Sequence, residues 1–345
     1  MNIHERKIKI LQAIIDYYID TAEPIGSRTI AKKYNLGISS ATIRNEMADL
    51  EDMGYLEQPH SSSGRKPSNK GYRLYVDKLM QVSGLTQKEK LLIRNKILSI
   101  TLQEIDTILK QVTAILSDLT KLTCVAKSPS VKKSSIKYVQ LVSIDINSIL
   151  LVIITNNGII KNNVIRIRKD VSQDVLAKLS NILNARLKNL NCDQINLEVI
   201  NNLKNDLKGY DDIFNAIIPV LYDSLNSTDK SEIYMEGTTN IFSYPEYNDI
   251  ERAREFLSLL DNKEKVSSLL NSGAGISVKI GTENYIEGAQ DCSVVSTIYS
   301  INGRPLGEIG VIGPTRMHYS KIISLMANVV KELNSMLDSM YPEDG

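Results

Sequence analysis

A chain of 345 residues with 41 basic and 40 acidic side chains carries a formal net charge of +1. It is therefore not a polycation that holds nucleic acid by bulk charge, and any such specificity must come from a local site. The length allows two or three domains with proper cores. Cys124, Cys192 and Cys292 stand far apart with no CxxC pair, which argues against a disulfide framework or a zinc site and fits a reducing cytoplasm.

The opening MNIHERKIKI scatters charges where a secretory signal needs an apolar core. The longest apolar run, Ile149 to Ile154, is far shorter than the ~20 residues that span a bilayer, so a soluble, cytoplasmic protein is expected. Ile8, Leu11, Ile15 and Tyr18 fall on one helical stripe that ends where Pro24 forbids continuation. A second short helix from about Ser27 to Tyr34 is closed by Asn35 and Gly37. In SSATIRNEMADLEDM, residues 39–53, Ile43, Met47 and Leu50 recur at i, i+4 and i+7 and seat a third helix on a small core. Ala41, Thr42, Arg44, Asn45 and Ala48 point outward, short or hydrogen-bonding side chains able to reach base edges. Ser39 or Ser40 can cap this helix, with its positive end toward a phosphate. Three helices joined by tight turns form the helix-turn-helix plan. Beyond Gly54, YLEQ and the basic, Pro/Gly/Ser-rich PHSSSGRKPSNKGYRLYV read as a wing.

The first eighty residues carry twelve basic and ten acidic side chains, yet the signs are segregated. Residues 27–45 hold Arg28, Lys32, Lys33 and Arg44 and no acid; residues 58–76 hold Arg65, Lys66, Lys70 and Arg73 and no acid. One such window would read as an ordinary solvated face. Two, on the elements that a winged helix turns toward DNA, read as an electrostatic footprint for phosphate. The expected contacts are Ser40, Thr42, Arg44 and Asn45 at the major groove, with Ser39 at the helix start and Arg28 and Lys32 on the backbone. Arg65 and Lys66 of the wing are expected at an adjacent groove or phosphate, joined by Lys70 and Arg73 of the same window.

Residues 77–87 read as a linker loosened by Ser83 and Gly84. Thr86 and Glu89 stand at capping-box spacing and open a helix that continues or restarts up to about Cys124. Leu98, Leu102, Ile105, Leu109, Val112, Leu116 and Leu119 alternate by four and three, which fits a coiled-coil seam and a helix packed on its own domain's sheet equally well. From Tyr138, YVQLVSI, SILLVIIT and IIKNNVIRI are β-branched runs separated by Asp145-Ile146-Asn147 and Asn156-Asn157-Gly158, the signature of a meander. Val175, Leu179, Ile182 and Leu190 then mark a helical stripe, and residues 193–227 continue as helices, a block that reads as an insertion. The strand YMEGT, the helical ERAREFLSLLDNKEKVSSLL and the strands GISVKIG, SVVSTIYSI and PLGEIGVIG follow. Residues 319–340 close the set as an amphipathic helix through Ile322, Met326, Val329, Leu333 and Met336, giving an α+β sandwich.

Other chemistries find little support. Gly307, Gly310 and Gly313 do not match the dinucleotide fingerprint, and with Pro314 behind them they read as turn glycines between strand and helix. His4, His60 and His318 lack a second ligand at i+3 or i+4, so no metal is expected; His60 reads as a solvated loop histidine or a phosphate contact. Arg304 and Arg316 with Glu308 read as a structural ion pair. With no nucleophile elbow, neither an enzyme nor a cofactor is expected.

The wing GRKPSNKGYR, the segment SSATIRNEMADLEDMGYLEQPHSSSGR and the run CSVVSTIYSINGRPLGEIGVIGPTRMHYSKII resemble the HrcA family of heat-inducible transcription repressors, over Ile10 to about Leu337. The resemblance implies an α+β multidomain protein with an N-terminal winged helix-turn-helix over 1–80, a GAF-like α+β domain over 81–158 and 231–345, and an inserted dimerisation domain over 159–230. The family's insert mixes strands and helices, so part of the meander can belong to it. The resemblance further implies a homodimeric repressor on an inverted-repeat operator in double-stranded DNA upstream of chaperone operons, kept active by a GroEL-type chaperonin. An alternative makes the GAF-like half a receptor for a small metabolite, since fold does not establish a ligand.

Overall fold

The computed structural model describes residues 5–60, 63–100, 105–129, 135–156, 160–167, 171–226, 232–270, 273 and 275–340. His4, Leu102 and the Asn157-Gly158 turn lie outside them.

The N-terminal module is built from α1 (Glu5–Thr21), α2 (Ser27–Lys33), α3 (Ser40–Asp52), β1 (Leu56–Glu57), β2 (Lys66–Pro67) and α4 (Asn69–Leu74), which runs on into a π turn at Tyr75–Leu79. Helix α1 buries Ile10, Leu11, Ile14, Ile15 and Ile19, while Ile8 and Tyr18 of the expected stripe are half-buried. The stripe is broad because α1 packs on α3 and also on β2, α4 and the π turn. It ends ahead of Pro24, where Ala22 takes a left-handed φ of 61° and donates its N–H to the Tyr18 carbonyl at 2.9 Å. In the wing, Glu57 stands opposite Lys66 and Leu56 opposite Pro67. Gly64 closes it: a Cβ there would stand 2.4 Å from the Ile25 backbone, and Ile25 and Arg65 exchange backbone hydrogen bonds of 3.0 and 2.9 Å.

Helices α5 (Gln87–Leu98) and α6 (Ile105–Thr120) are separate. The Thr86–Glu89 capping box forms as expected. Leu98 is 63% exposed, whereas Ile105, Leu109, Val112 and Leu116 are buried in the domain's own core, so the heptad seam is intramolecular packing and not a coiled coil.

Strand β3 (Thr123–Lys127) precedes a self-contained unit: β4 (Ile136–Asp145), β5 (Ser148–Thr155), β6 (Ile160–Arg166), α7 (Gln173–Leu187), α8 (Leu197–Asp206) and α9 (Asp211–Asn226). The three strands form their own antiparallel meander, with a buried cluster that runs from Ile136 to Leu221. The boundary expected between residues 158 and 159 divides this meander. Strands β4 and β5 form one unit with β6, because β5 pairs with β6 and the inward side chains of the sheet share one core with α7 and α9. The buried stripe of α7 is Leu176, Leu179, Leu183 and Leu187, while Val175 and Ile182 lie at its margins. Helix α7 also covers the β4 edge: Asn184 accepts from the Val139 N–H at 2.8 Å and donates to its carbonyl at 2.7 Å, and Ser180 accepts from the Leu141 N–H at 3.0 Å. An edge so capped offers no free ladder to another strand.

The chain then returns through β7 (Ile233–Glu236), α10 (Ile250–Asp261), α11 (Lys263–Leu269), β8 (Ser277–Ile280), β9 (Cys292–Ile301), β10 (Arg304–Pro314) and α12 (Tyr319–Met340). The GAF-like sheet runs β7-β3-β10-β9-β8, antiparallel throughout, with Val125 opposite Met235 across the inserted residues. Alternation along the strands sends Cys124, Ala126, Val295, Ile309 and Val311 toward α6 and α12, and Val125, Val294 and Ile312 toward α10 and α11. Gly307, Gly310 and Gly313 are therefore not turn glycines but interior positions of β10. A Cβ on Gly307 would meet the Lys127 carbonyl at 2.4 Å, and one on Gly310 a Leu270 methyl at 2.4 Å.

One continuous buried cluster joins the N-terminal module to α5, α6 and α12. The segment read as a loose linker is stapled to α12: Ser320 donates to the Gln81 carbonyl at 2.7 Å and accepts from the Ser83 N–H at 2.8 Å, and Ser324 donates to the Ser83 carbonyl at 2.6 Å. Among the described residues no helix is long and apolar enough to cross a membrane.

Candidate nucleic-acid interface

Helix α3 sits on Ile43, Met47 and Leu50, which leaves Ala41, Arg44, Asn45 and Ala48 exposed. Ser39 is its N-cap: the Oγ accepts from the Thr42 N–H at 3.1 Å and lies 2.9 Å from the Thr42 hydroxyl. Ser39 and Thr42 are thus tied to one another at the start of the helix, and Ser40 beside them is half-buried. Arg44 and Asn45 meet no hydrogen-bonding or charged partner among the described residues and are the long polar side chains that α3 offers outward.

Two acids further along α3, Glu46 and Asp49, are neutralised from behind. Lys7 of α1 lies 2.6 Å from Glu46 and 2.8 Å from Asp49, and Arg6 lies 3.5 Å from Glu46. The hydrogen bonds to Asp49 and Glu46 hold the Lys7 ammonium above its ordinary pKa. Without these cations, two carboxylates within a turn and a half of Arg44 would oppose a phosphate. Sequence reasoning missed this role, since nothing local links residues 6 and 7 to residues 46 and 49.

The first acid-free window survives folding. Arg28 and Lys32 on α2 and Arg44 on α3 are exposed and meet no carboxylate among the described residues, and α2 packs directly on α3. Lys33 lies over the Tyr17 ring, 4.5 Å from its centroid, and 5.9 Å from that of Tyr34. The second window behaves differently. Arg65 makes two 2.7 Å contacts with Glu51 of α3 and so braces the wing against that helix. Lys66 lies 3.4 Å from Glu57 across the wing. Lys70 donates to the Met53 carbonyl at the end of α3 at 2.8 Å and stands 4.6 Å over the Tyr55 ring. Arg73 turns away to the GAF-like domain, 3.0 Å from Glu283 and 2.8 Å from the Val278 carbonyl, with Asp77 at 3.1 Å. His60 is exposed in the wing turn, its N–H donating to Ser63 at 3.0 Å.

Of the ion pair expected between Arg304 and Arg316 and Glu308, Arg316 binds Glu246 instead, and Glu308 stands 3.6 Å from Lys127. Among the described residues no group of His, Cys, Asp and Glu side chains is arranged to hold a metal ion. Cys124 and Cys292 are buried as free thiols, which desolvation pushes up to about 12 and about 11.

Two family models match this chain, the winged helix-turn-helix transcription repressor, HrcA DNA-binding, over residues 2–81 and the HrcA protein C terminal domain over residues 106–323. The heat-inducible transcription repressor HrcA of Clostridium acetobutylicum is 56% identical over 340 residues, covering 99% of either chain. That of Clostridium perfringens strain SM101 is 54% identical over 335 residues, covering 97% of this chain and 99% of its own. The crystal structure of a hypothetical protein at 2.2 Å resolution superposes with a TM-score of 0.66 at 23% identity, covering 98% of this chain and 99% of that one, a shared overall fold. The relatives are named for a regulatory and not an enzymatic role. The chain belongs to the HrcA family of heat-inducible transcription repressors, with a DNA-binding winged helix at its N-terminus.

Proposed function

We propose that the protein represses heat-shock chaperone operons in the cytoplasm by binding an inverted-repeat operator as a homodimer. The observation that carries this reading is the exposed face of α2 and α3, where Arg28, Lys32, Arg44 and Asn45 have no partner among the described residues and the nearby Glu46 and Asp49 are held by Lys7. Arg44 and Asn45 read base edges in the major groove, where Arg favours guanine and Asn favours adenine. Arg28, Lys32 and the Ser39-capped start of α3 hold phosphates, and Lys66 contacts an adjacent phosphate by exchanging Glu57 for it. Arg65, Lys70 and Arg73 set the wing and α4 in place.

The homodimer is supported by the outer face of the inserted sheet. Tyr138, Ile144, Ile160 and Val164 are exposed there, flanked by the half-buried Val142, Leu150, Val152 and Ile154 on neighbouring strands. A contiguous apolar face on a sheet whose β4 edge is capped suits pairing with a second copy face to face. Two recognition helices would then address half-sites about one turn of DNA, or a whole number of turns, apart. A nuclease footprint on a chaperone-operon promoter should show two symmetric protected half-sites; one unrepeated site would refute the reading.

Dependence on a GroEL-type chaperonin rests on the family likeness and on topology. Strand β3 must wait for β7 across the whole insert before the GAF-like sheet closes, and such non-local pairing folds slowly with apolar surface exposed. DNA-binding activity recovered from denaturant should be higher with chaperonin than without it, and equal yields would remove this part. The metabolite-sensing alternative has its own discriminator: a ligand at a hundred times its Kd adds ~2.7 kcal/mol to stability.

A further inference from the structure

Besides the shared buried cluster and the serine staple, two separated polar contacts hold the DNA-reading module to the GAF-like domain. On the α4 side, Arg73 reaches Glu283 and the Val278 carbonyl, and a Cβ on Gly281 would collide with the Asn69 side chain at 2.2 Å. On the α1 side there is Arg316, in the loop between β10 and α12, only 9% exposed. Its Nη1 donates to the Ile19 carbonyl at 2.8 Å. Ile19 lies in the last turn of α1, where carbonyls lack intrahelical donors and the helix dipole favours a cation. Its Nε donates to Glu246, and its guanidinium lies 5.4 Å from the centroid of the Tyr244 ring. One side chain therefore binds the winged helix and residues 244–246 of the other domain at once.

We propose that Arg316 is the positioning residue for DNA recognition: it fixes the orientation of the winged helix on the GAF-like domain and thereby the half-site spacing that a dimer accepts. This rests on the dimeric, inverted-repeat reading above. A buried ion pair adds little stability over an apolar replacement of the same shape; what it supplies is one arrangement chosen over its neighbours. Here the selection is sharp because the surroundings have little else to offer Glu246. Its second carboxylate oxygen and the Tyr72 hydroxyl are both buried with no hydrogen-bond partner among the described residues. A winged helix rotated away from Arg316 would thus break the Ile19 contact without offering a new one. Lysine cannot replace the arginine, since a single ammonium does not span a carbonyl, a carboxylate and an aromatic face together. With Arg316 gone, the α1 end loses its buried polar anchor, while the α4 contact, the Ser320–Gln81 hydrogen bond and the shared apolar cluster remain.

The test compares the parent protein with the Arg316→Met/Glu246→Gln variant, which leaves no charge buried alone, and with Arg316→Lys. Spin labels on Glu23→Cys and Lys263→Cys, exposed positions on the two domains, are read by pulsed dipolar spectroscopy in a Cys192→Ser background, the other two cysteines being buried. Diluted with unlabelled protein so that each dimer carries one labelled protomer, the parent should give one narrow distance distribution, and both variants a broadened or displaced one. In parallel, affinity is measured for operators whose half-site spacing is native or changed by a base pair. The ratio between the two should fall roughly tenfold in the variants. A parent indifferent to spacing would overturn the dimeric reading, and the distance distributions then judge Arg316 alone. Unchanged distributions in both variants would overturn its positioning role. Broadened distributions with undiminished spacing selectivity would overturn its link to the operator.

Discussion

Residues 27–45 and 58–76 are equivalent on paper, each with four cations and no acid, yet folding separates them. In the first, Arg28, Lys32 and Arg44 stay exposed with no carboxylate partner among the described residues. In the second, Arg65, Lys66 and Arg73 meet Glu51, Glu57 and Glu283, carboxylates brought from outside the window. The difference teaches that an acid-free stretch measures local composition, whereas the charge offered to DNA depends on what the fold places opposite each cation. In the unbound fold the wing's cations are already engaged. Only its Lys66 pair is of the loose, half-exposed kind, worth about 0–1 kcal/mol, that a phosphate can displace.

The comparison can be broken or sharpened by substitution. The largest effect is expected from Leu50→Ala, which removes the fully buried seat of α3 and with it the platform both windows share; chemical unfolding should show a loss of about 2–5 kcal/mol. Arg44→Ala should cost about 1–3 kcal/mol of operator affinity, concentrated at one symmetric pair of base positions in a mobility-shift series. Unchanged affinity and base preference would remove α3 from the reading. Lys32→Ala should weaken binding to all sequences alike and lower the slope of log affinity against log salt by about one unit. Lys66→Ala should lower that slope by less, because Glu57 already neutralises part of its charge. Glu57→Gln should strengthen binding by about 0.2–1 kcal/mol by releasing Lys66. Equal slope losses from Lys32→Ala and Lys66→Ala would erase the distinction between the windows.

Much of the fold was legible where the cause is local. The Thr86–Glu89 capping box, the Ser39 cap and α12 over Tyr319–Met340 follow from side chains and periodicities within a few residues of one another. The three glycines of β10 were misplaced because a glycine demanded by a turn and one demanded by a crowded strand look alike in one dimension; Leu270 and Lys127, which crowd them, are far off in sequence. The boundary expected between residues 158 and 159 separates strands that share one sheet, because the strands of the two sheets have the same β-branched composition and pairing alone tells them apart. On α3, the outward exposure of Arg44 and Asn45 was legible from helical phase alone, whereas the Lys7 contacts and the diversion of Arg73 were not.

By itself the sequence determined which segments become helices and strands, which face of α3 is polar, and where positive charge is available, since propensity, capping and periodicity act over a turn or two. The tertiary structure decided which of those charges remain available, which strands share a sheet, and that Arg316 reaches Ile19 and Glu246. Those outcomes depend on carboxylates and carbonyls brought close by packing, and electrostatic and hydrogen-bond energies follow distance in space rather than separation along the chain.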